Sequence, residues 1–328
     1  MKKVTILGGG TGTFVVLSAI KKEEIDLAAI VSMTDSGGST GRLRDQLGVL
    51  PPGDLRQALV ALSEAPMLWR KLFLYRFEQG DLQGHNFGNI FLSALEKVTD
   101  NYEDVIKTAS YVLQTKGKVI PVTFETANLC VEYANGKTLK GEGKIDSNYL
   151  EKSRIVKAYL EPKVNAHSEA IKRIEESDYL IIGPGDLYAT IISVLLPGGI
   201  REAILKSGAK IIFNMNLMTK SGQATSYKAS DYITDLTVYM GRAPDTVVIN
   251  TGEIPKSALE WYAEEGESPV QNDLKSASFK GRITEGDIVD KKQFVKSEAD
   301  KYVDPRVRSI LRHDPEKLSR VLKEIIFS

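Results

Sequence analysis

The chain has 328 residues, and its 43 Lys plus Arg are matched by 43 Asp plus Glu, for a formal charge of zero. That balance disfavours a basic face as a bulk property, and with it ordinary nucleic-acid binding. A single cysteine, Cys130, excludes an intramolecular disulfide and argues against a Cys-based zinc site, and His85, His167 and His313 fall at no metal-ligand spacing. Residues 4–20 are apolar after Lys2 and Lys3, but glycines interrupt them, no cleavage site follows, and no apolar run reaches 18 residues. The expectation is one large α/β domain over residues 1–328, cytoplasmic, with no membrane insertion.

In chain order, residues 4–7 read as a strand that stops in glycine, residues 13–22 as a helix, and residues 27–31 as a second buried strand. Strand, glycine turn, helix and strand open a Rossmann-like, doubly wound, mostly parallel sheet. A polar loop over 34–41 comes next, then a helical insertion over about 54–113. Residues 118–123 and 129–133 read as strands around a polar turn, and Asn135-Gly136 as the turn of a β-hairpin, so that an excursion spans about 118–145. Further strands fall near 155–160, 179–182, 210–214 and 246–250, with a helix at 169–176. The charged stretch 284–304 reads as a surface excursion, and Cys130 as a small core residue.

The chemistry concentrates where strands end in glycine. Gly8-Gly9-Gly10-Thr11-Gly12-Thr13 lies between a strand and a helix, where glycine permits close backbone approach and a helix start presents free N–H groups to an anion. It departs from the strict dinucleotide fingerprint, which weighs against a nicotinamide-dependent oxidoreductase. Thr34-Asp35-Ser36-Gly37-Gly38-Ser39-Thr40-Gly41 follows the second strand, placing Asp35 where an acidic residue meets a ribose or a Mg²⁺-bound phosphate. Asp54, after Pro51-Pro52-Gly53, reads either as a helix N-cap or as a carboxylate aimed into the cleft. Gly84-His85-Asn86-Phe87-Gly88-Asn89 opens another helix with polar groups suited to ligand contact. Gly183-Pro184-Gly185-Asp186-Leu187-Tyr188 repeats the strand–glycine–helix arrangement, and Asn214, Asn216 and Thr219 follow the next strand with groups able to read a base or sugar. No P-loop, nucleophile-elbow or zinc-peptidase motif is present.

Six ordered motifs carry a resemblance: G-G-G-T-G at 8–12, D-S-G-G-S-T-G-R-L-R at 35–44, P-P-G-D at 51–54, G-H-N-F-G-N at 84–89, G-P-G-D-L-Y at 183–188 and N-x-N-L-M-T at 214–219. In this combination, spread over nearly the whole chain, the sequence resembles the CofD-like superfamily and, within it, the gluconeogenesis-factor (YvcK-like) branch. The resemblance implies a Rossmann-like domain with a nucleotide cleft. Its ligand residues would be Gly9, Gly10, Thr11, Gly12, Thr13, Asp35, Ser36, Gly37, Gly38, His85, Asn86, Asn89, Gly183, Pro184, Gly185, Asp186, Tyr188, Asn214, Asn216 and Thr219. Two C-terminal segments are similar to this branch and imply that Tyr262 stacks on the base and Arg312 holds a diphosphate. The branch implies binding of UDP-sugars, notably UDP-N-acetylglucosamine, a role in cell shape and wall synthesis during gluconeogenic growth, and no established reaction. The other branch implies Mg²⁺-dependent phospholactate transfer from a guanosine diphosphate-linked donor to a deazaflavin acceptor. Asp35 and Asp54 would then be catalytic or Mg²⁺-binding residues. Thr34, Asp186 and the length of 284–304 depart from the usual pattern. A homodimer and regulatory protein partners fit the fold without any residue that specifies them.

Overall fold

The computed structural model describes residues 1–291 and 310–328. Its strands are β1 (Lys3–Gly8), β2 (Asp26–Val31), β3 (Lys118–Pro121), β4 (Asn128–Tyr133), β5 (Thr138–Lys140), β6 (Ile155–Glu161), β7 (Tyr179–Ile182), β8 (Lys210–Asn214), β9 (Thr246–Asn250) and β10 (Arg282–Gly286). The helices are α1 (Gly10–Ile20), α2 (Gly38–Leu47), α3 (Gly53–Leu62), α4 (Met67–Leu74), α5 (Phe87–Val98), α6 (Tyr102–Leu113), α7 (Glu142–Asp146), α8 (Ser168–Glu175), α9 (Ser193–Leu195), α10 (Ile200–Lys206), α11 (Ala229–Met240), α12 (Lys256–Glu264) and α13 (Pro315–Phe327). A π-helical turn, Leu187–Ile192, runs directly into α9.

Seven strands form one parallel sheet in the order β10-β9-β8-β7-β1-β2-β3. The central strands are continuous apolar runs because helices cover both faces; all four residues of β7 are buried. On one side α1 packs with α3 and α13, and elsewhere α10 packs with α8 and α11. The apolar core runs without a break from Val4 to Ile326. A smaller cluster joins Leu217, Met218, Ala258, Tyr262, Val289 and Leu311.

From β1 the chain steps outward through β2 to β3, and from β7 it steps the opposite way through β8 to β10. The direction of winding therefore reverses between β1 and β7. Open α/β sheets bind ligands outside the carboxyl ends of the strands at such a switch point. Both glycine turns singled out from the sequence sit there, because they follow β1 and β7.

Four boundaries differ from the sequence reading. Residues 118–121 pair parallel with β2 as the sheet edge, and only β4 and β5, joined by β6, form a separate antiparallel sheet. Alternation of apolar residues cannot tell a parallel edge strand from one arm of a hairpin. The helix after the first turn begins at Gly10 rather than Thr13, and the polar loop is short because α2 begins at Gly38. Part of the expected surface excursion is the strand β10, while residues 292–304 of it lie outside the described residues. Cys130 is 1% exposed in β4, in line with its reading as a core residue.

Candidate functional site

The first turn brings α1 to the crevice. Gly12 can follow β1 only because it lacks a Cβ, which would lie 1.9 Å from the Pro184 carbonyl oxygen of the second turn. The two turns thus touch backbone to backbone. Two compartments of one cleft open on either side of that contact, sharing Thr11, Gly12, Gly185 and Asp186 as a common wall.

The first compartment is an open cleft of about 710 Å³. Its apolar side is Val15, Leu217, Met218, Trp261, Tyr262 and Leu311, and its cations are Lys220 and Arg312. Tyr262 is 2% exposed, and its hydroxyl accepts from the Ile310 and Leu311 N–H groups at 3.1 Å, fixing the ring. Trp261 meets Tyr262 edge to face at 4.8 Å. Lys220 Nζ stands 3.8 Å from Glu267 Oε1. Burial works against the lysine charge, but Asp186, Glu267 and Asp146 outweigh it and the Lys220 pKa is raised. His313 is fully enclosed against the Met215 carbonyl oxygen, and burial drives its pKa down to about 4, so the ring is neutral.

The second compartment, about 850 Å³, is acidic. Asp35, Asp54, Glu142, Asp146 and Asp186 line it, with Gln57, Thr190 and the turn glycines. Asp54 does not cap its helix, since Pro52 holds the cap position. Its Oδ1 instead accepts from the Gly10 N–H at 2.7 Å, occupying one free donor at the start of α1. Burial, then the Asp35 charge, pushes the Asp54 pKa up to about 7. Asp35 is raised by burial and takes the Gly37 N–H at 2.9 Å. Glu142 and Asp146, one helical turn apart on α7, are raised by burial and by neighbouring carboxylates, Asp146 to about 7.

The second turn is filled from within. Asn216 Nδ2 donates to the Gly185 carbonyl at 2.8 Å, and Asn214 Nδ2 donates to that of Gly183 at 3.3 Å. Gln223 Oε1 accepts from the Tyr188 and Ala189 N–H groups at 3.3 and 3.0 Å, and its Nε2 donates to Asp146 Oδ1 at 2.6 Å. Two of the donors that open the second helix, on Tyr188 and Ala189, are therefore met by protein.

A crevice at the switch point, a glycine-bounded helix start and a chain-long match to one profile decide the family. Residues 4–321 match the family described as 2-phospho-L-lactate transferase CofD. The chain belongs to the CofD family. Among curated relatives of this CofD-family chain, one from Aquifex aeolicus called "Putative gluconeogenesis factor" is 40% identical, covering 99% of this chain and 98% of its own length. The "Gluconeogenesis factor" of Bacillus subtilis is 35% identical over 99% and 98%. A solved structure of a UPF0052-family protein from Bacillus halodurans superposes with a TM-score of 0.87 at 33% identity, covering 98% of each chain.

Of the residues expected from the CofD-family motifs, Gly9, Gly10, Thr11, Gly12, Asp35, Asp54, Pro184, Gly185, Asp186, Asn216, Thr219, Tyr262 and Arg312 line the cleft. The others stand behind it. Thr13 is 1% exposed, its hydroxyl buried without a hydrogen-bond partner. Ser36 Oγ accepts from the Gly143 N–H, joining the Asp35 loop to α7. Gly37 and Gly38 form the start of α2. His85, Asn86 and Asn89 make a buried network with Ser39 and Thr40, in which Asn86 caps α5. Tyr188 points away from the cleft, donating to Asp235 Oδ2 at 2.7 Å. Gly183 and Asn214 shape the second turn from beneath. Lys220, Trp261, Glu267, Glu142, Asp146, Gln223 and His313 were not foreseen as site residues. Lys220, Trp261 and His313 adjoin foreseen positions in sequence, whereas nothing in the sequence marks Glu142 and Asp146.

Proposed function

We propose that the cleft binds a nucleotide sugar of the UDP-N-acetylglucosamine type, and that the protein is a cytoplasmic regulatory factor supporting cell shape and wall synthesis during gluconeogenic growth. The observation that carries this reading is the first compartment. It sets an aromatic and aliphatic wall beside two cations and the open donors at the start of α1, which is the complement of a base followed by a diphosphate. The base lies along Trp261 and Tyr262, the diphosphate reaches Lys220, Arg312 and the Thr11–Gly12 backbone, and the sugar extends toward the acidic compartment, whose carboxyl groups accept from its hydroxyls. No described helix is long and apolar enough to cross a membrane.

A second reading rests on Asp54, a carboxyl group poised near neutral pH beside Asp35 in the crevice, as a general base requires. It is phospholactate transfer from a guanosine diphosphate-linked donor to a deazaflavin acceptor. Among the described residues no three His, Cys, Asp or Glu side chains are placed to hold a metal ion by themselves. Mg²⁺ commonly takes one or two carboxylates together with ligand phosphates, and with Asp54 as the base Asp35 would be the carboxylate that holds it. Bound there, the ion would neutralise charge on the diphosphate.

Calorimetric titration with UDP-N-acetylglucosamine, GDP and NAD, each with and without Mg²⁺, tests both readings. Selective UDP-sugar binding, with stabilisation of ~2.7 kcal/mol at a hundred times Kd, is the expected result. Selective Mg²⁺-dependent GDP binding with turnover of the donor would replace the first reading by the second.

A further inference from the structure

The charged side chains that line the first compartment cancel one another. Lys220 and Arg312 supply two positive charges, Asp186 and Glu267 two negative ones, and His313 is neutral. The diphosphate of a nucleotide sugar brings two more negative charges. Placed there with nothing else changed, it would leave an uncompensated negative surplus in a partly desolvated site, which is unfavourable. Of the two carboxyls, Glu267 is built to compete with the ligand. It is 8% exposed and Lys220 9%. Its Oε1 accepts from the Ser221 N–H at 3.1 Å, whereas Lys220 Nζ stands at 3.8 Å, beyond hydrogen-bond distance. The backbone carrying the pair is tied together. The Thr219 N–H donates to the Ser268 carbonyl at 2.8 Å, the Ser268 N–H to Thr219 Oγ1 at 3.0 Å, and Ser221 Oγ to the Glu265 carbonyl at 2.9 Å. The carboxylate is therefore the anchored member, and the lysine, on its flexible stem, is the one able to turn.

We propose that Glu267 is a specificity-determining residue of the cleft, an internal anion that holds Lys220 until a diphosphate arrives and then yields it by taking up a proton. The proposal rests on the reading of the first compartment as the diphosphate site. In the exchange the proton comes from solvent and the Glu267 carboxylate becomes a carboxylic acid, whose carbonyl oxygen still accepts from Ser221. The Lys220 ammonium passes to a phosphate oxygen. A neutral nucleoside or a singly charged phosphodiester has less to offer Lys220, so the internal anion favours a diphosphate over both. The groups facing Glu267 set where the exchange occurs. They are Lys220, Asp186 from the second turn and Glu265 after α12, with Tyr262, Arg312 and His313 lining the same compartment. Burial, with the Asp186 and Glu265 charges, outweighs the Lys220 charge and the Ser221 N–H and pushes the Glu267 pKa up to about 7. A bound diphosphate raises it further, and by linkage the proton strengthens the diphosphate by the same factor.

The test is calorimetric titration of the full chain with UDP-N-acetylglucosamine and, separately, with inorganic pyrophosphate, in buffers of different ionisation enthalpy, which counts the protons taken up. Wild type is expected to take up close to one proton per ligand in mildly alkaline buffer. Its affinity should fall about tenfold per pH unit above neutrality, the slope of one linked proton. Glu267→Gln keeps the acceptor for Ser221 and carries no charge. It is expected to match wild type in mildly acidic buffer, to bind at least about tenfold tighter than wild type in alkaline buffer, and to lose the slope. Comparison with Glu267→Gln also cancels the protonation of pyrophosphate itself. The proton count on wild type stands even if Glu267→Gln fails to fold. Binding by wild type without proton uptake, or a Glu267→Gln chain that keeps the slope or binds more weakly than wild type in alkaline buffer, would overturn the proposal. Pyrophosphate binding with the expected linkage but no binding of UDP-N-acetylglucosamine would overturn the nucleotide-sugar reading and leave this proposal standing. Binding of neither ligand would overturn both.

Discussion

The two glycine turns look alike in sequence and do opposite work in the fold. The turn after β1 leaves donors at the start of α1 facing the cleft, with Asp54 taking only the Gly10 N–H. The turn after β7 is filled from behind, its Tyr188 and Ala189 N–H groups held by Gln223 and its Gly183 and Gly185 carbonyls by Asn214 and Asn216. A helix start becomes an anion site only if nothing else in the protein satisfies it. The difference teaches that strand, glycine and helix in succession define a place for a site, while side chains more distant in sequence decide whether the place is open.

The contact between the turns gives the largest expected effect. Gly12→Ala forces a Cβ into the Pro184 carbonyl, which has no flexible end to yield. We expect a loss of about 3 kcal/mol, at the upper end of overpacking costs, measured by urea unfolding, together with loss of nucleotide binding. Next, Lys220→Ala or Arg312→Ala should weaken UDP-N-acetylglucosamine by about 10- to 150-fold, the worth of a hydrogen bond to a charged group, in calorimetry. Binding that survives both variants would move the diphosphate out of the first compartment.

The second turn is probed through its filling. Gln223→Leu strands the Tyr188 and Ala189 N–H groups and should cost about 1–3 kcal/mol in the same unfolding assay. Gln223→Glu should recover little of it, because a second carboxylate would then face Asp146 Oδ1 where Nε2 donates at 2.6 Å. Asp54 bears on the first turn through pH. Its folded pKa of about 7 stands above the ordinary carboxyl value of 3.8, so the folded chain holds a proton that the unfolded chain gives up. Its contribution to stability is full below the unfolded pKa and is lost as pH rises to about 7. Asp54→Asn should remove that part of the slope between these pH values, seen as the difference from wild type in unfolding free energy. The smallest effect belongs to Thr13→Val, expected to lie within about 0.5 kcal/mol of wild type in urea unfolding because the Thr13 hydroxyl is buried without a partner.

Much of the architecture was legible in order. Residues 27–31 and 179–182 read as strands because burial on both faces leaves an unbroken apolar run, and both are strands of the sheet. Gly9, Gly10, Thr11, Gly12 and Gly185 reach the cleft for a similar local reason, since glycine and threonine at a strand end have few roles other than a tight turn or a ligand, whereas Tyr262 and Arg312 were expected only from the family resemblance. His85, Asn86 and Asn89 read as ligand contacts because polar groups at a helix start look the same whether they face a cavity or one another. Tyr188 lies off the cleft for a related reason: its outward aim depends on Asp235, 47 residues away.

By itself the sequence determined the strand and helix alternation, the glycine turns and the core, all of which follow from local periodicity and from the steric needs of single residues. Tertiary structure decided the rest. Parallel pairing of β3 with β2, the carboxyls of α7 beside Asp35, and the filling of the second turn by Gln223 join segments far apart in the chain. Such contacts depend on which surfaces pack together to bury apolar area, and no short window of residues contains that information.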